Sequence, residues 1–189
     1  MPNYCHYTMR VRGSYEAIDE MERRLTDYDH TPHFWRVFEA DRVDEPSRQG
    51  DGSADMVAEF DGTCAWSVNA CMCDGPLTYA GDFSKNPETA PCCTSLAKTA
   101  EELGIDIEVF SEEPGMGFAE HYRYLRGEAP IEEETEYREI FWDRYEHATF
   151  AEFDEACGVS ELGLTEEDFH DEDGEEYAII GGYERNWAF

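Results

Sequence analysis

Eleven carboxylates in two runs are the residues of this sequence best spaced to do chemistry: Glu132, Glu133, Glu134, Glu136 and Glu139, then Glu166, Glu167, Asp168, Asp171, Glu172 and Asp173. Carboxylates held along a rigid element can enter the arginine and lysine sites that otherwise hold phosphates, so these runs are expected to form an acidic partner-binding face that imitates a nucleic-acid backbone. The competing reading is a solvated, solubilising surface. Aromatic residues inside the first run, Tyr137, Phe141, Trp142 and Tyr145, argue for ordered structure beneath the acids rather than a floppy tail.

Other candidate chemistry is poorly supported by its spacing. Asp168, Asp171 and Asp173 before Gly174 resemble a calcium loop only superficially, because the alternating-ligand pattern with a distal Glu is not met. The seven cysteines, at 5, 64, 71, 73, 92, 93 and 157, contain no Cys-x-x-Cys, and neither Cys71-Met-Cys73 nor Cys92-Cys93 has zinc-ligand spacing. Six scattered histidines include no His-x-x-x-His, and there is no Gly-rich phosphate loop or Gly-x-Ser-x-Gly. The sequence therefore implies no catalytic residues, no metal and no cofactor. A small metal- or thiol-dependent enzyme stays open as an alternative, with its site assembled only in three dimensions.

Charge narrows the partner. Forty-five Asp and Glu stand against two Lys and twelve Arg, a net charge of −31. Such a field repels nucleic acid and anionic membrane and speeds encounter with basic surfaces. The expected partner is a basic, nucleic-acid-binding host protein or complex, with no direct nucleic-acid or membrane binding. Spread over the roughly 9,000 Å² expected for this mass, the excess is about one charge per 300 Å². B-DNA carries roughly one per 100 Å². Only a segregated face can imitate a duplex, and segregation is present: residues 128–176 hold twenty acids against Arg138 and Arg144, whereas 1–127 hold 24 acids against 11 bases.

The positioning elements follow from periodicity. Cys5, Tyr7, Met9 and Val11 alternate with polar residues as in a half-buried strand, and Ser14 caps a helix with Ile18, Met21 and Leu25 on one face. Strands are expected over 33–43 and 55–66, the latter with a bulge or turn at Gly62, and over 105–110 and 118–125; a helix is expected over 92–103, stopped by Gly104. Residues 46–53 and 69–91 read as turn and loop. The order βαββαβ predicts an α+β protein of ferredoxin-like split βαβ type, an antiparallel sheet with two helices over residues 1–127. Residues 128–189 read as an acidic helical and β-hairpin extension packed on it: helical spacing over 131–147, although EYREIFW also fits a strand, a short amphipathic turn ending at Gly158, an acidic turn from Thr165, and a hairpin of 177–180 with 183–189 around Gly181-Gly182. The absence of an apolar leader or a membrane-length apolar run, with an odd cysteine count, predicts a soluble protein of the host-cell cytoplasm.

The segments Met1-Pro2-Asn3-Tyr4-Cys5, Cys64-Ala65-Trp66-Ser67 and Glu113-Pro114-Gly115-Met116-Gly117-Phe118-Ala119, the last followed by Tyr124 and Gly127, resemble the YubB-type ferredoxin-like family of plasmids, phages and other mobile elements. The resemblance covers about residues 1–127. It implies a fold and a mobile-element context but no activity and no site residue. Cys93 to Ser95, the Cys-rich loop and the acidic C-terminal part depart from the family. Together these readings lead to an expected inhibitor of anti-CRISPR or anti-restriction type, an acidic DNA mimic; the alternative is a non-inhibitory interaction module of the mobile element.

Overall fold

Strand β1 (Tyr4–Gly13) is the spine, because its alternate residues Cys5, Tyr7, Met9 and Val11 are all buried. In the computed structural model, which describes residues 3–48, 54–73, 93–172 and 175–189, β1 pairs antiparallel with β4 (Met56–Ala65) on one edge and β5 (Asp106–Glu113) on the other. β2 (Val37–Arg42) and the short β3 (Ser47–Arg48) pair with β4, and β6 (Phe118–Tyr124) pairs with β5. β7 (Ile131–Trp142), β9 (Glu175–Gly181) and β8 (His170–Glu172) then extend the sheet in that order. The protein is thus α+β, with an antiparallel sheet larger than the four strands a split βαβ unit needs.

Helices α1 (Tyr15–Thr26), α2 (Val68–Met72) and α3 (Leu96–Leu103) contribute buried Ile18, Met21, Val68, Met72 and Leu96 to the main core, with Phe60, Ile107 and Val109 from the sheet. Ser14, Ser67 and Ser95 cap the three helices through their side-chain oxygens, and Gly104 closes α3 at φ 62°. A second core of Trp142, Phe153, Val159, Phe169 and Ala178 joins α4 (Phe150–Cys157) to β7 and β9. None of the described helices is long and apolar enough to cross a membrane.

Several expectations need correction. Residues 69–72, expected as loop, belong to α2, and the helix expected from 92 starts at Leu96. Residues 131–142 form a strand, not a helix: the first six pair with β6 and the last six with β9, and Tyr145, which a helix would bury, is fully exposed at 102%. β-branched and aromatic residues at 135, 137 and 140–142 favour the pleated surface. Residues 183–189 form no strand; positive φ at Gly181 and Gly182 turns the chain away, and the hairpin partner of β9 is β8. Gly62 marks neither bulge nor turn. A Cβ there would overlap the Glu39 carbonyl and the Tyr7 ring, so it is a close-approach glycine, and the irregularity lies in β2 between Val37 and Glu39. That strand starts at Val37, after a bridge from His33 to Cys93. The parts of the 46–53 and 69–91 readings at 49–53 and 74–91 lie outside the described residues, as do Met1, Pro2, Cys92, Asp173 and Gly174.

The face of the sheet opposite α1 and α3 is covered by the C-terminal segment. Arg10 lies 4.6 Å from the Trp187 ring centroid and donates to the Phe189 carbonyl at 3.0 Å, and Arg12 lies 4.7 Å from the Phe189 ring. Buried Asp106 takes Arg12 and Arg126 on this side, and those guanidinium hydrogen bonds hold its carboxyl below the usual range against the opposing effect of burial. A folded-state pKa below the unfolded one stabilises at pH above the ordinary carboxylate value of about 4, and the gain is lost as pH falls through it toward the lower folded value. Asp106→Asn is therefore expected to lower stability by about 2 kcal/mol at pH 7 and by much less at pH 3, read as the difference from wild type in urea unfolding.

Candidate functional site

β7 is a strand with two neighbours, one along each half. The Tyr137 amide donates to Gly117 O at 3.0 Å on the β6 side, while Glu136 O accepts from the Gly182 amide at 2.8 Å on the β9 side. Because backbone groups of an antiparallel ladder point alternately to either side, those of Glu132 and Glu134 point away from β6. Among the described residues no strand pairs with them there. Glu132, Glu133, Glu134 and Glu136 are exposed along this open edge.

Alternation divides them. Glu132, Glu134 and Glu136 sit opposite Tyr122, Glu120 and Phe118 on the helix-bearing face, and Glu133 opposite His121 on the other. Tyr124 donates to Glu132 at 2.9 Å, and Glu136 pairs with Arg138 at 2.8 Å. Half-buried Glu139 accepts from the Tyr137 hydroxyl at 2.7 Å. Burial raises the pKa of both phenols and keeps them protonated, helped by Cys73 and then Glu132 at Tyr124 and by Glu139 at Tyr137.

The second acidic run does not join the first. Glu166, Glu167 and Asp168 are exposed in a 3₁₀ turn, where Asp168 accepts from the Thr165 amide and hydroxyl as a cap. Asp171 and Glu172 lie on β8, with Asp171 opposite Glu176, which lies opposite Trp142. Six to ten residue steps of strand separate Glu136 and Glu132 from Trp142, roughly 20 to 33 Å. The acids expected to form one face are thus two patches at opposite ends of β7.

On the face of β7 opposite Glu132, Glu134 and Glu136 lies a cleft that the sequence did not disclose. It measures about 420 Å³, and its lining includes Tyr137, Glu139 and Phe141 of β7, Tyr177 of β9, and Tyr183, Glu112 and Arg185. The only sequence signal for it was the Gly181-Gly182 pair, read as a hairpin turn. The thiols are placed differently: Cys5, Cys64 and Cys71 are buried, and hydrogen bonds with the other two, followed by burial, push the Cys64 thiol well up. That disfavours the thiolate a nucleophile needs. Among the described residues no group of three or more His, Cys, Asp or Glu is arranged to hold a metal ion.

Comparisons with protein-family models, with curated proteins and with solved structures find no match for this chain.

Proposed function

We propose that this chain is a non-catalytic inhibitor encoded by a mobile element, which occupies the basic DNA-binding surface of a host CRISPR effector or restriction enzyme as an acidic DNA mimic. The observation that carries the reading is the spacing on β7. Same-face residues Glu132, Glu134 and Glu136 recur every two strand positions, about 6.7 Å. Successive phosphates on one strand of B-DNA, with about ten per 34 Å turn at roughly 10 Å radius, lie about 7 Å apart. An ordered strand therefore offers carboxylates at a pitch that phosphate-binding arginines and lysines are built to accept. The resemblance of residues 1–127 to the YubB-type family supports the mobile-element context. The strand order β2-β4-β1-β5, with α1 and α3 in the crossovers, supports a ferredoxin-like split βαβ core to which β6–β9 are added.

Retention of basic host proteins on the immobilised protein, followed by elution with duplex DNA, tests this. Release of a DNA-binding defence complex by DNA at constant salt is expected; retained partners indifferent to DNA would contradict mimicry.

A second reading is favoured by the open edge itself, since charged residues on an unpaired strand prevent edge-to-edge association. The two readings separate on Glu132→Thr/Glu134→Thr. If the acids only guard the edge, this variant self-associates in sedimentation while keeping its partner; under the proposed function its partner affinity drops about tenfold or more.

A further inference from the structure

We propose that the cleft on the face of β7 opposite Glu132, Glu134 and Glu136 binds the guanidinium of an arginine side chain from the partner, with Phe141 and Tyr177 as the stacking surfaces and Glu139 as the counter-charge. This rests on the reading of the chain as a binder of basic proteins, and it adds the anchoring contact.

Register builds the cleft. Tyr137, Glu139 and Phe141 project to one face of β7, and their partners on β9 are Gly181, Ile179 and Tyr177. Gly182 would press a Cβ to 3.0 Å from the Tyr137 ring, so its lack of a side chain keeps the space beside that ring open. Tyr137 is buried as the floor, while Phe141, 53% exposed, and half-buried Tyr177 stand with centroids 6.0 Å apart at 39°. Ring faces at the mouth of a cleft attract a cation through their quadrupoles, and attraction is stronger where the site sheds water.

The carboxylates decide the sign of the ligand. Arg185 holds Glu112 at 3.0 Å, so that acid is compensated within the chain. Glu139 accepts a hydrogen bond from the neutral Tyr137 phenol, and among the described residues no cation pairs with it. The cleft therefore carries one uncompensated negative charge beside two ring faces.

The molecule already uses this solution internally. Arg36 lies 4.9 Å and 4.8 Å from the ring centroids of Trp35 and Trp66, and Arg144 lies 5.0 Å from that of Trp142. No described arginine stacks on Phe141 or Tyr177. A planar guanidinium fits a ring pair and a carboxylate better than a compact ammonium, because it stacks and hydrogen-bonds at once. An arginine held there would contact the face of β7 that carries Glu133, across the strand from Glu132, Glu134 and Glu136.

Isotope-labelled full-length protein, titrated with N-acetyl-arginine methylamide and with its neutral citrulline counterpart and followed by NMR, tests the assignment. Shifts concentrated at Phe141, Tyr177, Ile179 and Gly181 are expected, with citrulline at least about fivefold weaker. Phe141→Leu and Glu139→Gln, both at positions outside the two cores, should each weaken arginine about fivefold while leaving the β6–β7 amide spectrum unchanged. Equal shifts with citrulline, or arginine shifts spread over the acidic surface with no maximum at the cleft, would overturn the proposal. Loss of the cleft alone leaves the β7 edge standing as the partner surface. An intact cleft without any captured basic partner instead removes the inhibitor reading.

Discussion

Gly181→Ala is expected to destabilise the protein by about 4 kcal/mol, and Gly127→Ala by only about 1 kcal/mol, in urea unfolding. Both glycines have positive φ, 75° and 82°, so both substitutions carry the same left-handed backbone penalty. They differ in what a Cβ would meet. At Gly127 nothing lies within 4 Å, whereas at Gly181 it would overlap the Glu136 carbonyl oxygen and come within 2.8 Å of its carbon. That carbonyl accepts the Gly182 amide, the bond at which β7 exchanges β6 for β9. Relief of the clash must push β9 off β7, which also loosens Trp142 and Ala178 in the second core. Hydrogen exchange should then accelerate at 175–181 before it does in β1 and β5. Equal costs at the two glycines would mean that the strand exchange is not a tight joint.

The other large effect is at Glu120. Its side chain has no solvent exposure and accepts from the Val68 and Asn69 amides at 2.8 and 3.1 Å, from Ser111 at 2.8 Å and from Tyr122 at 3.0 Å. Four donors thus converge on one carboxylate, two of them from the start of α2. Glu120→Leu removes all four acceptor contacts and strands buried donors, at about 4 kcal/mol. Burial nevertheless raises the Glu120 pKa, outweighing those hydrogen bonds. The sign is opposite to that of Asp106: a folded-state pKa above the unfolded one gives stability that is complete below the ordinary carboxylate value, about 4.3, and is lost as pH rises through the folded value. The stability of wild type relative to Glu120→Gln should therefore fall with rising pH above about 4.3, while that relative to Asp106→Asn climbs with rising pH below about 4. Parallel pH profiles for the two variants would show that Glu120 is not held in a desolvated site.

The contrast between those two carboxylates shows where the sequence stopped being informative. Strict alternation over Cys5 to Val11 and the Ser14 and Gly104 caps identified β1, α1 and the end of α3, because each signal is local. Nothing in FAEHYRY distinguishes Glu120, buried under α2, from an exposed strand acid, because three of its four donors come from residues 9 to 52 positions away. In β7, Tyr137, Ile140 and Phe141 fit a helical face as well as a strand, and only pairing to two different partners decides. The C-terminal segment was misread for a related reason. Gly181-Gly182 does turn the chain, but Tyr183 and Trp187 pack on Phe110 instead of pairing as a strand. The acidic residues themselves were legible in sequence; their division into two patches at least roughly 20 Å apart depended on that strand and was not.

Affinity of the quadruple variant Glu132→Lys/Glu133→Lys/Glu134→Lys/Glu136→Lys for the captured partner, set beside the same reversal at Glu166 and Glu167, tests the β7 surface most directly. All six positions are exposed, so both variants should fold as wild type does. A loss of at least about a thousandfold for the β7 variant is expected, with a loss of no more than about tenfold for the other. Unchanged partner affinity in the β7 variant would contradict the mimicry and leave the acids as a solvated, edge-protecting surface.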